Sequence, residues 1–476
     1  MNMKTNSLYY GDCLEVMKPW PDKSVDLIYL DPPFNSKVHY NVLFGRGRHG
    51  ETKNDLAQMT AFSDVWEWDI DAEQRVANIE RAIAHPAHPA ISAFRMLYPH
   101  GSGLLSYLSY MAERIAEMRR LLKPSGSLFL HCDPTAGHYL KLLMDSVFGG
   151  ASFRNEIIWC YTGPGSPNMR QFNRKHDSIF WYSAGKTWTF NADDVRVPYT
   201  DEKQTLRKRM GEKFDDAEEI KKYRERGKIP ETWWQMRIAP RSKKEYLGYP
   251  TQKPLALLQR IIAAASNPGD IVLDPFCGCG TTIDASHRLR RDWIGIDISS
   301  YAIEVIRRER MKDLEIPLEG MPRDLEAARH LAQGKPFEFE KWAITRIPGF
   351  APNTVQRGDS GIDGRALIYG LPKADALCIA QVKGGKPGID ALRAFAGVID
   401  ANSAAVGVFI TLNEWDTPEV KKCIAGAGTL KVGAASYNRL VMYSIERHLR
   451  GDSAPLPPLA HPRTGLPFQA ELRASG

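Results

Sequence analysis

The chain has 476 residues, too many for one compact core, and its 43% hydrophobic and 25% charged residues exclude wholesale disorder. A formal net charge of +7 favours a polyanionic partner without naming one. Seven scattered cysteines exclude a disulfide framework; with no leader-like start and no apolar run of about 18 residues, they predict a cytoplasmic protein without a membrane span.

The first strong element is the apolar run Ser24 to Leu30, which stops at Asp31-Pro32-Pro33-Phe34 because two prolines end any strand or helix. Residues 42–100 are polar, carry scattered tryptophans and lack a steady period, so an insertion with short helices is expected. Helical spacing from Leu104 to Leu122 is followed by Lys123-Pro124-Ser125-Gly126 and a strand over Ser127 to His131. A helix over 136–147 and strands over Glu156 to Tyr161 and Asp177 to Tyr182 follow. Residues 184–247 change to dense mixed charge around Trp233 and Trp234, as a substrate-facing module would. Alternation then resumes: a helix from Pro254 to about Ser266, a strand at Ile271 to Leu273, a helix from Ile283 to Leu289 and a strand from Trp293 to Asp297. This alternation predicts a mostly parallel sheet covered on both faces. Beyond a charged stretch near 310–335, separate strands are expected at Leu377 to Val382 and Ala405 to Thr411.

Two loops at predicted strand ends carry chemistry. At Asp31-Pro32-Pro33-Phe34 a carboxylate and backbone carbonyls, held by stiff prolines, can accept amine hydrogens, and Phe34 offers a flat face for stacking. As an isolated tetrapeptide the same run is only a turn; its place beyond a buried strand is what argues for a ligand. The second loop, Asp274-Pro275-Phe276-Cys277-Gly278-Cys279-Gly280-Thr281, has glycines that let a nucleotide-like ligand approach the backbone. Asp297 follows at the spacing where an acid meets ribose hydroxyls. The third glycine of a dinucleotide fingerprint is replaced by Ile283, so a nucleoside cofactor is expected rather than a dinucleotide. Cys277 and Cys279 have no second pair at metal-ligand spacing and are expected to be small buried residues.

Together these loops resemble motifs IV and I of the DNA amino-methyltransferases, in the β-class order with the catalytic half first. Further matches are Gly11-Asp12 with motif III, Thr251-Gln252-Lys253-Pro254 with motif X, Asp297 with motif II, and Arg174-Lys175-His176-Asp177 to Tyr182 with motif VIII. The resemblance covers roughly 7–305. It implies a Rossmann-like, S-adenosylmethionine-dependent α/β methyltransferase acting on a base flipped from double-stranded DNA, and a homodimer. It also implies catalytic roles for Asp31, Pro32, Pro33 and Phe34, and cofactor contacts at Asp12, Cys13, Lys253, Asp274, Phe276, Gly278, Gly280, Thr281 and Asp297. Phe34 stands where tyrosine is more frequent, keeping the stacking face and losing a hydroxyl. In this family an aspartate at the first motif IV position usually accompanies adenine N6, and serine accompanies cytosine N4, so Asp31 favours adenine. Methylation at cytosine C5 would need a Pro-Cys thiolate, and no cysteine here follows a proline.

In the C-terminal part, Asp363 precedes the strand that carries Gln381 and Lys383, whose alternate side chains share one face. Asp363, Gln381 and Lys383 resemble the D...QxK variant of the Mrr-type restriction nucleases. That implies Mg²⁺ held by Asp363 and Gln381, catalysis by Lys383, and a further carboxylate from Glu338 or Glu340. The other reading is an α/β accessory domain with an incidental lysine, or a relic that only holds DNA. The expected organisation is a methyltransferase domain over 1–310, with an insertion at 42–100 and a target-recognition region at 184–247. A linker at 311–335, a smaller α/β restriction-endonuclease-like domain at 336–450 and a tail at 451–476 complete it.

Overall fold

A computed structural model describes residues 2–33, 39–43, 58–63, 66–163, 170, 172–199, 217–237, 245–247, 249, 251–352, 361–372, 376–460 and 467. The strands of the first part are β1 (Ser7–Tyr10), β2 (Val25–Leu30), the hairpin β3 (His39–Leu43) and β4 (Gln58–Ser63), β5 (Leu122–Cys132), β6 (Phe153–Cys160), β7 (His176–Ser183), β8 (Trp233–Gln235), β9 (Ile271–Asp274), β10 (Asp292–Asp297) and β11 (Leu318–Glu319). Nine of them form one sheet in the order β11-β1-β10-β9-β2-β5-β7-β6-β8. Within it only β7 runs against its neighbours.

The central strands are largely apolar because both faces are covered, and Asp26 on β2 is held by Lys123 at 2.8 Å. Leu27, Tyr29 and Val272 pack under the helices Leu255–Ala265 and Thr281–Arg288 through Leu257, Leu258, Ile261 and Ala285. Ile28, Leu30 and Ile294 face the opposite layer, which includes the helices Ile70–Arg81, His88–Leu97, Gly103–Leu121 and Gly137–Phe148. The Gly103–Leu121 helix begins where Ser102 Oγ accepts the Leu105 amide at 3.1 Å, a side-chain N-cap. Strand β5 starts earlier than its sequence suggests: Lys123 to Gly126 stays extended, and the register with β2 shifts between Val25 and Leu27 to absorb it.

The later strands are β12 (Ala351–Pro352), β13 (Gly364–Leu367), β14 (Leu377–Lys383), β15 (Val406–Thr411), the hairpin β16 (Thr429–Val432) and β17 (Ala435–Asn438), and β18 (Leu440–Ser444). They give a second, five-stranded sheet, β12-β13-β14-β15-β18, antiparallel from β12 to β14 and parallel from β14 to β18. The helix Ile389–Ala401 makes the crossover between β14 and β15.

The stretch expected as a linker, 311–335, is structured: β11 extends the first sheet beside β1, and the helix Leu325–Gly334 packs into a core with the helix Pro336–Thr345. That core is continuous across both sheets, joining Leu8, Tyr10, Ile283, Ile303 and Ile306 to Phe339, Trp342, Ile344 and Val382. Glu304 is buried beneath this seam with its carboxylate 2.7 Å from Arg346 and 2.7 Å from Arg308. Burial raises its pKa, and the nearby guanidiniums of Arg346, Arg308 and Arg307 outweigh that and hold it low.

Candidate active site

Strands β2, β9 and β10 lie side by side and parallel, so the loops leaving their carboxyl ends open onto one crevice. A cleft of about 360 Å³ lies there, within the range of small-molecule sites. Asp31 and Pro33 reach it from β2, Asp274, Phe276, Gly278 and Thr281 from β9, and Asp297 from β10. Lys253 enters from the turn before the helix Leu255–Ala265. Two loops more than 240 residues apart thus meet, the association on which the motif reading depends.

Asp31 follows the last residue of β2, and the prolines after it supply no amide hydrogen to continue the sheet. Its Oδ2 accepts from Lys253 Nζ at 2.5 Å. Its Oδ1 is buried and has no hydrogen-bond partner among the described residues. A buried carboxylate oxygen without a donor is costly, so this atom is set up for a ligand N–H or O–H.

The β9 loop is braced by two acids, Asp274 at its start and Asp297 from β10. Asp274 Oδ1 accepts the Phe276 amide at 3.1 Å. Asp297 Oδ2 accepts the Gly278 amide at 2.8 Å and its Oδ1 the Ser299 amide at 2.7 Å. Gly280 has φ +76° and a Cβ there would stand 2.7 Å from Ile306 Cγ1, so the loop requires glycine at that point. Burial pushes the Asp274 carboxyl up to about 7, against hydrogen bonds from Thr282 and the Phe276 amide. Burial likewise pushes Asp297 up to about 6, against its two backbone hydrogen bonds. A cleft with Asp31, Asp274 and Asp297 in its walls suits a ligand that brings positive charge.

Some expected residues stand elsewhere. Asp12 caps the helix Cys13–Met17 by accepting the Leu14 amide at 2.8 Å and pairs with Arg114 at 2.5 Å. Arg114 in turn lies over the Tyr110 ring at 3.2 Å, and Tyr110 lines the cleft, so Asp12 stands one layer behind the wall. Cys13 is buried in the core beside it. Pro32 is buried and supports the turn. Phe34 lies outside the described residues. Cys277 and Cys279 are buried in the loop, and burial pushes the Cys277 thiol well up.

The cleft also takes residues that neither motif singles out, among them Tyr29, Trp66, Tyr249, Ser300, Tyr301, Lys341 and Pro352. Tyr29 was findable, since it stands two residues before Asp31 on the same strand and therefore on the same side. Its hydroxyl meets His131 Nδ1 at 2.8 Å, and His131 Nε2 meets Asp177 at 3.1 Å, a buried structural chain across the sheet.

In the second sheet, Asp363 Oδ2 accepts the Val382 amide at 2.7 Å. Gln381 and Lys383 flank that residue on β14, so the three polar side chains are neighbours. Gln381 Nε2 donates to the Gly361 carbonyl at 2.9 Å. Glu338 is turned away from this group, accepting the Tyr10 hydroxyl at 2.6 Å and holding Lys341 at 3.2 Å. That corrects its expected place beside Asp363; Glu340, one turn before Ile344, shares the helix face that packs on Gly364.

A mostly parallel sheet with an acidic Pro-Pro turn and a glycine loop opening on one crevice is the architecture of an α/β protein that binds a small ligand beyond its strand ends. The family profile N6_N4_Mtase, described as DNA methylase, matches residues 25–308, more than half of the chain, and the protein belongs to that family of DNA methyltransferases. It is 27% identical over 307 residues to the DNA adenine methyltransferase YhdJ of Escherichia coli (strain K12), covering 63% of this chain and 81% of that one. It is 25% identical over 309 residues to the type II methyltransferase M.BglII of Bacillus subtilis, covering 63% and 67%. Against M.HpaI of Haemophilus parainfluenzae the identity is 34% over 206 residues, covering 42% and 58%. Among solved structures, the PvuII DNA methyltransferase (cytosine-N4-specific) aligns with 66% of this chain and 89% of its own, at 17% identity and a TM-score of 0.40. Among the described residues no helix is long and apolar enough to cross a membrane.

Proposed function

We propose that the chain moves the methyl group of S-adenosylmethionine to N6 of an adenine flipped from double-stranded DNA. The observation that carries this is the buried Asp31 Oδ1, without a hydrogen-bond partner among the described residues, in the cleft that the β9 loop also lines. The cleft fits the donor: Gly278 brings backbone close, and the raised pKa values of Asp274 and Asp297 are relieved by a cation beside them. When bound, the donor supplies an electrophilic methyl on a sulfonium.

An exocyclic amine is a poor nucleophile because its lone pair is delocalised into the ring. Asp31 Oδ1 accepts one amine hydrogen and the Pro32 carbonyl the other, which draws the nitrogen toward tetrahedral geometry and leaves a path for the departing proton. Lys253 fixes the other Asp31 oxygen so that the acceptor cannot rotate away. Phe34 stacks on the extruded base, offsetting a lost stacking energy of a few kcal/mol. Asp274, Phe276, Gly278, Thr281 and Asp297 hold the donor, with Asp297 toward its ribose; Asp12, Cys13 and Gly280 shape that pocket from behind.

Adenine is favoured over cytosine N4 by the aspartate at position 31 and by the likeness to a relative named for adenine methylation. Single-molecule sequencing of DNA from cells expressing the chain tests this. N6-methyladenine at a fixed motif is the expected result, and N4-methylcytosine in its place overturns the choice of base.

For the second sheet the reading is a Mrr-like nuclease site, with Mg²⁺ on Asp363 and Gln381 and Lys383 steadying charge on a phosphate. Its support is the meeting of Asp363 with the backbone between Gln381 and Lys383, which sets oxygen donors suited to a hard cation beside an ammonium. Mg²⁺-dependent nicking of unmethylated plasmid that is lost in Lys383→Ala is expected; equal nicking by that variant overturns it.

A further inference from the structure

The helix Pro336–Thr345 belongs to the second sheet by its apolar side and to the cleft by its polar side. A Cβ on Gly364 would stand 2.6 Å from Ile344 Cδ1, and one on Gly384 would stand 3.1 Å from Phe339 Cδ1. Gly364 follows Asp363 and Gly384 follows Lys383, so this helix rests on the backbone next to both residues of the second site. On its other side Glu338 holds the hydroxyl of Tyr10, and Tyr10 is the register partner of Asp297. Lys341 comes one turn later and lines the cleft, its ammonium held 3.2 Å from Glu338 Oε1 and 4.2 Å from the Phe337 ring centre. Pro352 on β12 lines the cleft as well, and its register partner on β13 is Gly364. Two separate connections, one helix and one strand pair, therefore run from the cleft wall to the backbone beside Asp363.

The geometry points to a donor site completed by the second unit: Lys341 is a donor-binding residue, and filling the cleft orders the Asp363 and Lys383 backbone through the helix 336–345 and β12. This rests on the reading of the cleft as the S-adenosylmethionine site. Lys341 stands on the Asp297 side, where the nucleoside half of the donor lies in that reading, so its ammonium donates to ring or ribose acceptors. The coupling is reciprocal, since whatever seats the helix against Gly364 and Gly384 also presents Lys341 to the donor.

The test uses the full chain. Calorimetric titration with S-adenosylhomocysteine and with 5′-methylthioadenosine, which share the nucleoside, is expected to show both bound about tenfold more weakly by Lys341→Ala, with Lys341→Arg recovering most of the loss. Saturation with S-adenosylhomocysteine is expected to slow amide hydrogen exchange at 361–364 and 380–384 in the wild type, and less in Lys341→Ala. Unchanged affinity in Lys341→Ala, or unchanged exchange at those amides in a saturated wild type, overturns the inference while leaving the donor-site reading intact. Failure of the wild type to bind either nucleoside overturns both.

Discussion

The cleft of the first sheet and the polar group of the second differ in how their acids are used. In the cleft, Asp31 keeps one oxygen without a partner among the described residues, and Asp274 and Asp297 are buried at a cost in pKa. In the second sheet, Asp363 and Gln381 already bond to neighbouring backbone, at 2.7 Å and 2.9 Å. The first arrangement stores unfavourable energy that a ligand relieves. The second fixes its side chains on neighbouring backbone, Asp363 through Oδ2 and Gln381 through its amide nitrogen rather than its oxygen.

The largest expected effect breaks the contrast at its strained side. Asp31→Ala is expected to lower tritiated methyl transfer to DNA by about 10³-fold, with donor affinity changed only a few-fold, as removal of a transition-state acceptor does. Wild-type transfer by that variant would refute the role. Next, Gly280→Val is expected to destabilise the protein by about 3 kcal/mol, because a branched residue is placed at positive φ against Ile306. Denaturant unfolding measures it, and an unchanged midpoint would show that the loop relaxes freely.

Arg346→Met probes the seam between the regions. It is expected to cost about 2 kcal/mol, because Glu304 keeps Arg308 at 2.7 Å and Arg307 at 3.5 Å while losing its partner across the seam. Two separate melting transitions in that variant would show that the shared core depends on the pair. The smallest effect concerns pH. The unfolded carboxyl titrates near 3.8 and Asp274 near 7 when folded, so the native state binds the extra proton between them and stability falls as pH rises through this window. Asp274→Asn is expected to lessen that decline between pH 5 and 7.5 by on the order of 1 kcal/mol in calorimetric scans, while weakening donor binding. A decline as steep as the wild type's removes Asp274 as its source.

The two regions also differ in how far the amino-acid sequence disclosed them. Asp31, Asp274, Gly278, Thr281 and Asp297 were legible because each sits in a short motif directly beyond an apolar strand, and strand ends are where a parallel sheet collects its ligands. Lys253 was legible only through its motif; nothing local revealed that its ammonium grips Asp31. Asp12 was read as a wall residue, but a carboxylate before a short helix satisfies amides there, and Arg114 completes its bonding. Lys341 and Pro352 were not visible, because their place in the wall follows from packing between Tyr10 and Trp342 that no local pattern encodes. The edge strand Leu318–Glu319 was missed for a simpler reason: two residues carry no periodicity, and β1 alone organises them.

The order of the strands has a consequence for synthesis. Strands β1 and β2 are consecutive in the chain, yet β10 and β9 lie between them in the sheet. Until the ribosome has released residues up to about 297, the middle of the sheet is missing, and Asp31 waits for a partner 222 residues downstream. At roughly 5–20 residues per second that wait is about 10–45 s. The nascent protein is therefore unable to close this cleft before its last central strand arrives.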